Sequence, residues 1–275
     1  MNTNLYDSFI NRKVIKVICG LQNTNISNII QVVKAAELAG ATYIDIVANT
    51  KIVSIIKSLT YLPICVSSIN PIDLYNCSLM GAQIVELGNF DIFYDKNIQF
   101  SQEYILDLAY ETRSLIPNKD ICVTIPHTLN LYEQVTLARS LENIGINMIQ
   151  TEGYMSKINI QSDFKKYINM KSNFDMVSQA TYYSAATLSS TLVIANSVDI
   201  PVITASSLND LSSVIAFNYG ASGIGIGSCI NSMNNIYDMS DLLSEIKYSI
   251  NNNSVSNKIY IANSYDKLIN MNSII

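Results

Sequence analysis

Short apolar runs alternate with helical segments along the whole chain, and this alternation constrains the fold more than any other feature. β-rich runs are predicted at residues 14–20, 43–49, 63–68, 83–89, 120–127, 147–153, 201–206 and 223–228. Eight strands separated by seven helical segments are the element count of a (β/α)8 barrel. A doubly wound sheet typically opens with a G-x-G-x-x-G turn, which does not follow the first run. The sequence therefore predicts an α/β fold of the TIM-barrel type.

One such barrel accounts for the length of the chain. Barrels of roughly 200 to 250 residues form a single domain, and this chain has 275 residues. Hydrophobic residues make up 49% of it and charged residues 14%, which is ample material for a large core. The prediction is one domain over residues 1–275, with strands from about 14 to 228 and a C-terminal helix and tail over 229–275.

Composition excludes several classes of partner. A formal net charge of −5 argues against a nucleic-acid surface, which needs clustered Lys and Arg. Lys165, Lys166 and Lys171 do cluster, and we interpret them as a solvated face. No stretch approaches the roughly 18 uninterrupted apolar residues of a membrane span. The five Cys contain no C-x-x-C pair and are expected to be buried thiols in a reducing compartment.

Alternation along the strands predicts which side chains point into the barrel. If the apolar positions face the helices, the polar positions between them face the interior. Several ionisable groups would then converge there, which favours a site, although an internal ion-pair network that only fills the barrel is the alternative. The predicted interior set is Lys16, Asp45, Glu86, Thr124, Gln150, Glu152 and Thr204.

Five of the ionisable side chains are candidate catalytic residues. Glu86 and Glu152 could face each other across the mouth, where they would share a proton or bind a divalent cation. Lys16 would act as an electrostatic partner or, if desolvated, as an amine nucleophile, and Asp45 would help to set the electrostatics. His127 is the only His and ends a strand, so it is either a general acid or base or a structural residue. A single His without a Cys motif gives no structural zinc site.

The last two strands carry the most specific signal. The segment 201–207 reads PVITASS and, after one helix, 220–228 reads GASGIGIGS. In many barrels the ends of strands seven and eight receive a phosphate on backbone N–H groups. The candidate phosphate-binding residues are Ser206, Gly225, Gly227 and Ser228. The alternative is that the glycines only fit a crowded barrel closure, and phosphate-binding barrels typically carry two glycines where this chain has Ser206 and Ser207.

Two connections after strands are long, at residues 90–100 and about 154–179. Such segments lie at the catalytic face of a barrel and often act as lids. The aromatic rings of Phe90, Phe93 and Tyr94 either close over a ligand or pack on the barrel rim.

Several segments together resemble a known family. They read VICGL at 17–21, PICVS at 63–67, ELGNFDIFY at 86–94, VTIPHTL at 123–129, IQTEG at 149–153 and the Gly-rich end. The chain is similar over nearly its full length to the hypothetical chloroplast reading frame twenty-three family, a group of unknown function. The resemblance implies an aldolase-type barrel and a location in the plastid stroma. No transit peptide is visible, which agrees with synthesis inside the plastid.

Two functions fit these residues. The first is an enzyme with lyase or isomerase chemistry on a small phosphorylated metabolite. The second is a non-catalytic, regulatory barrel that binds such a metabolite or flavin phosphate. Fold alone does not choose between them, and flavin phosphate and a divalent cation both stay open as cofactors.

Overall fold

A computed structural model describes residues 3–88, 90–94, 96–153 and 176–253 of the chain. Eight parallel strands form a closed barrel in the order of the sequence, so the predicted TIM barrel is confirmed. Each of the eight predicted β-rich runs contains one strand. The strands are β1 Val14–Ile18, β2 Tyr43–Val47, β3 Ile64–Ser68, β4 Ile84–Leu87, β5 Asp120–Ile125, β6 Met148–Thr151, β7 Val202–Ala205 and β8 Gly223–Ile226.

Helices surround the barrel and connect successive strands. One helix precedes β1, and two follow β8. They are α1 Thr3–Ile10, α2 Ile26–Leu38, α3 Thr50–Lys57, α4 Pro71–Met80, α5 Asp91–Tyr94, α6 Gln102–Leu115, α7 Leu131–Asn143, α8 Met176–Ala195, α9 Asp210–Asn218, α10 Ser228–Asn231 and α11 Ile236–Asn253. Most of the predicted long connection after β6 lies outside the described residues, as does 254–275 of the predicted C-terminal tail.

Most strands end before their predicted limits because the following residues serve the next helix or loop. Asn49 is predicted within the second strand, but it is the N-cap of α3 and accepts hydrogen bonds from the backbone N–H groups of Lys51 and Ile52. Asn130 and Glu133 form a capping box at the start of α7, in which each side chain accepts a hydrogen bond from the other residue's backbone N–H. His127 and Glu152 therefore lie in loops just beyond β5 and β6, at the C-terminal end of the barrel.

The N-terminal end of the barrel is closed by α1. Leu5 and Phe9 are one helical turn apart and are 3% and 4% exposed. They pack on a buried layer that lines the inside of the strands near their N-terminal ends. The layer consists of Val14, Tyr43, Cys65, Ile84, Cys122, Met148 and Ile203. We call the opposite end of the barrel, at the C-terminal ends of the strands, the mouth. Because apolar side chains fill the N-terminal end, a ligand can reach polar groups inside the barrel only from the mouth.

One predicted interior residue faces the other way. The prediction that Thr204 points into the barrel is wrong, because its Oγ1 lies 2.7 Å from Thr191 Oγ1 on α8. Ile203, the residue before it, belongs to the buried layer above α1. Strands of a barrel are buried on both faces, so polarity alone does not identify the inward side of a short strand such as β7.

The described residues contain no helix that is both long enough and apolar enough to cross a bilayer.

Candidate functional site

Lys16 lies at the centre of a buried polar cluster inside the barrel. Its Nζ is 3.0 Å from Asp45 Oδ2 and 2.8 Å from Gln150 Oε1, and it also contacts Glu86 Oε2. The side chains of Lys16 and Glu86 are fully buried, and that of Asp45 is 1% exposed. A charged amine can be kept there only because carboxylates surround it.

Three neutral side chains complete this cluster. Glu86 Oε1 accepts hydrogen bonds from Gln150 Nε2 at 2.8 Å and from Thr124 Oγ1 at 3.2 Å. Ser67 donates to Asp45 Oδ1 at 2.6 Å. We call Lys16, Asp45, Ser67, Glu86, Thr124 and Gln150 the central network. The structure thus brings together five members of the predicted interior set, and Ser67 joins them because it has the inward parity of Cys65 on β3.

The charges of the central network decide the chemistry of Lys16. Burial favours the neutral amine, but Asp45 and Glu86 outweigh it and raise the pKa of Lys16 well above its ordinary value. Burial raises the pKa of Glu86, and repulsion from Asp45 raises it further. The positive charge of Lys16 offsets part of this increase. Lys16 therefore stays an ammonium ion. It suits the predicted electrostatic role and does not suit the role of amine nucleophile, which needs the neutral form.

The same geometry bears on a divalent cation. Ligand atoms of Asp45, Cys65 and Glu86 lie within 4.8 Å of one another. The Lys16 ammonium already contacts both of these carboxylates, so a positive charge is present at this position. Burial and the nearby Asp45 raise the pKa of the Cys65 thiol, which disfavours the thiolate that a metal would bind. The cluster is built for an ammonium ion rather than for a metal.

Glu86 and Glu152 lie in separate clusters. On β5, Glu86 is level with Cys122, whereas Gln150 is level with Thr124. The strands of a barrel are tilted, so this offset still brings Gln150 Nε2 within 2.8 Å of Glu86 Oε1, and Glu152, two residues further along the chain, lies roughly 7 Å beyond Gln150 at about 3.3 Å per residue. Glu86 is bound within the central network, and Glu152 binds residues of the mouth. The geometry therefore gives no support to a proton shared between these two carboxylates.

Glu152 forms the second cluster together with His127 and Tyr94. Its Oε1 accepts a hydrogen bond from the backbone N–H of His127 at 3.1 Å and lies 3.3 Å from His127 Nδ1. The Tyr94 hydroxyl donates to the same oxygen. The His127 side chain is 13% exposed and that of Glu152 is 5% exposed. We call these three residues the mouth cluster; its imidazole and carboxylate could move a proton to or from a ligand.

An aromatic anchor fixes Tyr94 in this cluster. Phe90 is fully buried and packs on Phe100, with ring centroids 4.6 Å apart. Phe93 makes an edge contact with Phe100 at 5.5 Å, and Tyr94 makes one with the His127 ring at 4.6 Å. The connection is predicted either to close over a ligand or to pack on the barrel rim. Phe90 and Phe93 pack on the rim, whereas Tyr94 reaches the candidate site. The sequence predicts for Tyr94 only a ring that closes over a ligand or packs on the rim, because nothing in the sequence pairs Tyr94 with Glu152.

The candidate phosphate residues occupy two places. Ser206 has a φ of 80° and donates to Gly153 O at 2.8 Å. Ser207 has a φ of 56°, so both serines adopt the left-handed backbone that favours glycine. Gly227 is the N-cap of α10, and Ser228 is its first residue. The backbone N–H groups of Ile230 and Asn231 both donate to Gly227 O at 3.0 Å, so those of Ser228 and Cys229 are the ones that this turn could offer to an anion.

Gly225 lies deeper, within β8. It is in register with Lys16, and a Cβ at this position would stand 2.9 Å from Ala205 Cβ and 2.9 Å from Ile18 Cδ1. Real Cβ atoms are not found at such distances, so Gly225 is explained by close packing of the barrel wall. The packing alternative therefore accounts for Gly225, whereas Gly227 and Ser228 lie at the mouth.

Gly88 tests how tightly the central network is packed from above. A Cβ at Gly88 would stand 2.5 Å from Thr124 Cβ, so Thr124 would have to move away from Glu86 and Gln150. We expect Gly88→Ala to lower the free energy of unfolding by about 1–3 kcal/mol, measured by urea denaturation. Gly227→Ala is the control, because its nearest neighbour would be Ile18 Cβ at 3.3 Å. Equal stability of the two variants would contradict the packing described here.

The closed barrel with polar groups at its mouth belongs to the class of (β/α)8 barrels of the TIM type. Similar solved structures are a thiamine phosphate pyrophosphorylase from Pyrococcus furiosus and a 3-hexulose-6-phosphate synthase. The pyrophosphorylase has a TM-score of 0.56 and 16% identity, and the match covers 88% of this chain and 98% of the pyrophosphorylase. The synthase has a TM-score of 0.58 and 12% identity, and the match covers 86% of this chain and 99% of the synthase. Another is (S)-3-O-geranylgeranylglyceryl phosphate synthase from Thermoplasma acidophilum with its substrate sn-glycerol-1-phosphate, with a TM-score of 0.58, 15% identity and coverage of 91% and 99%. At these identities the likeness establishes the fold alone.

The chain belongs to the family described as Protein of unknown function (DUF561), which matches residues 1–256. Relatives of this chain include proteins named Uncharacterized protein ycf23. The one from Antithamnion sp. is 43% identical over 259 residues, which cover 94% of this chain and 90% of the relative. The one from Cyanophora paradoxa is 39% identical over 254 residues, which cover 92% and 99%. The resemblance predicted from the motifs is confirmed, and the name of these relatives supports a plastid-encoded origin.

Proposed function

We propose that the chain is an enzyme that acts on a small phosphorylated metabolite by proton transfer, in a lyase or isomerase reaction. The observation that carries this proposal is the mouth cluster. It holds the only imidazole of the chain against a carboxylate, and it lies at the end of the barrel where Ser206, Gly227 and Ser228 follow β7 and β8. A site of this kind combines an acid–base pair with an anion-binding segment.

Each group has a distinct role in this proposal. His127 and Glu152 handle the proton, and Ser206, Gly227 and Ser228 hold the phosphate. Lys16, Asp45 and Glu86 lie beneath them and set the electrostatic potential of the barrel interior without touching the ligand. The glycerol phosphate named in the Thermoplasma complex supports a phosphorylated ligand as the first class to test. The site of action would be the plastid stroma.

A binding panel tests the proposal. We expect one or more sugar phosphates, glycerol phosphates or flavin phosphate to raise the melting temperature by about 5 °C at 100 times Kd, and the dephosphorylated counterparts to have no effect. A yellow colour of the purified protein would identify flavin phosphate directly. Equal shifts with and without the phosphate group, or no shift with any phosphorylated compound, would contradict the proposal. Binding without turnover would favour the regulatory barrel.

A further inference from the structure

We propose that the mouth cluster divides its work, so that Glu152 holds His127 as the Nδ1–H tautomer and His127 Nε2 exchanges the proton with the ligand. Glu152 is then a positioning residue and His127 the catalytic one. The catalytic half of this inference rests on the proposed function. The tautomer half rests only on the contacts among Tyr94, His127 and Glu152.

The contacts of Glu152 are concentrated on one oxygen. The His127 backbone N–H, the Tyr94 hydroxyl and the His127 ring all meet Oε1. An ionised carboxylate has no hydrogen to donate, so each of these partners has to supply one. The backbone amide and the phenol do so by their nature. The remaining partner, Nδ1 at 3.3 Å, therefore carries a proton, because an unprotonated Nδ1 would direct its lone pair at the lone pairs of Oε1.

The backbone makes this arrangement hard to avoid. The same residue offers both its N–H and its ring nitrogen to Oε1, at 3.1 and 3.3 Å, so the backbone bond holds the oxygen on the Nδ1 side of the ring in the observed rotamer. The Tyr94 ring stands edge-on against the imidazole at 4.6 Å and restricts its rotation. Fixing the tautomer in this way leaves Nε2 as the nitrogen with the lone pair, on the side of the ring that points away from Glu152.

This arrangement supports a balanced proton transfer. The Nε2 lone pair takes a proton from a C–H bond of the ligand, and the electron pair of that bond stays on the ligand as an enediolate. The imidazolium is stabilised by the Glu152 carboxylate. The N–H bond then breaks as the proton returns to another ligand atom, so the reaction is redox-neutral and needs no co-reactant.

The tautomer can be read directly because the chain has one histidine. Protein labelled with 15N-histidine gives a single pair of ring nitrogens in an NMR spectrum, and their chemical shifts distinguish the two neutral tautomers from each other and from the imidazolium. We expect the proton on Nδ1 in the wild type. Its presence on Nε2 would overturn the inference, and no variant is needed for that result.

Two variants assign the cause. Glu152→Ala should move the proton to Nε2, the tautomer that free imidazole side chains favour, whereas Tyr94→Phe should leave it on Nδ1. Retention of Nδ1–H in Glu152→Ala, or its loss in Tyr94→Phe to the same extent, would overturn the assignment to Glu152. These results do not depend on finding a substrate. A failed binding panel with an Nδ1–H histidine would refute the proposed function and leave the tautomer standing.

Discussion

Lys16→Met is expected to lower the free energy of unfolding by about 3–5 kcal/mol, because it leaves two buried carboxylates without their counter-charge. Asp45 and Glu86 both lose the ammonium that contacts them, and neither can reach water from its buried position. Met has a similar length, so little of the loss should come from an empty space. Urea denaturation at neutral pH measures the change.

The control adds Asp45→Asn and Glu86→Gln to Lys16→Met. This triple variant removes the uncompensated charge and keeps the shape, so we expect it to recover at least half of the lost stability. A loss below about 1 kcal/mol for Lys16→Met alone would mean that the central network is solvated, in contradiction to the structure.

The effect of Lys16→Met should also depend on pH. Burial and repulsion from Asp45 raise the folded-state pKa of Glu86, and removing Lys16 removes the influence that lowers it. For a carboxyl group with a raised folded-state pKa, the native state binds more protons than the unfolded state, so stability is lost as pH rises above the ordinary value of about 4.5. The variant should therefore be closest to wild type in acid and furthest from it at neutral pH. A pH-independent difference would contradict this account.

His127→Asn and Glu152→Gln are expected to give the largest losses of activity. For a substrate found in the binding panel, His127→Asn should lower kcat on the order of 10²–10⁴-fold with little change in KM, because it removes the general acid–base group. Glu152→Gln should lower kcat by roughly 10²-fold or more, because the imidazolium loses its counter-charge. Tyr132→Phe, at an exposed position on α7, is the control. Unchanged turnover in Glu152→Gln would remove that residue from the mechanism.

The barrel could be predicted because its signals are local and repeated. Apolar runs, helix caps and turn glycines each depend on a few neighbouring residues, as the capping box of Asn130 and Glu133 illustrates. Charged residues in strands also show reliably which side of the strand faces the barrel interior. Lys16, Asp45 and Glu86 can be buried only where they contact one another. Thr204 was assigned to the wrong face because a hydroxyl is stable on either side of a buried strand, where Thr191 supplies its partner.

The candidate site is less predictable from the sequence, because it depends on how far along the barrel each side chain lies and on the paths of the loops. Parity places both Glu86 and Glu152 inside the barrel, but only the register between strands shows that Glu152 lies beyond the central network. Tyr94 reaches Glu152 from a connection whose path is set by packing of Phe90 and Phe93 on Phe100. The sequence does not predict helix α1, because only two of its residues, Leu5 and Phe9, carry the apolar pattern.

The most direct test of a ligand site at the mouth is a titration of the 15N-labelled protein with each phosphorylated compound of the binding panel, followed by NMR. We predict saturable shifts of the backbone N–H signals of Ser206, Gly227 and Ser228, together with the ring signals of His127. Shifts confined to surface lysines, or no saturable shift at these four residues, would contradict the account.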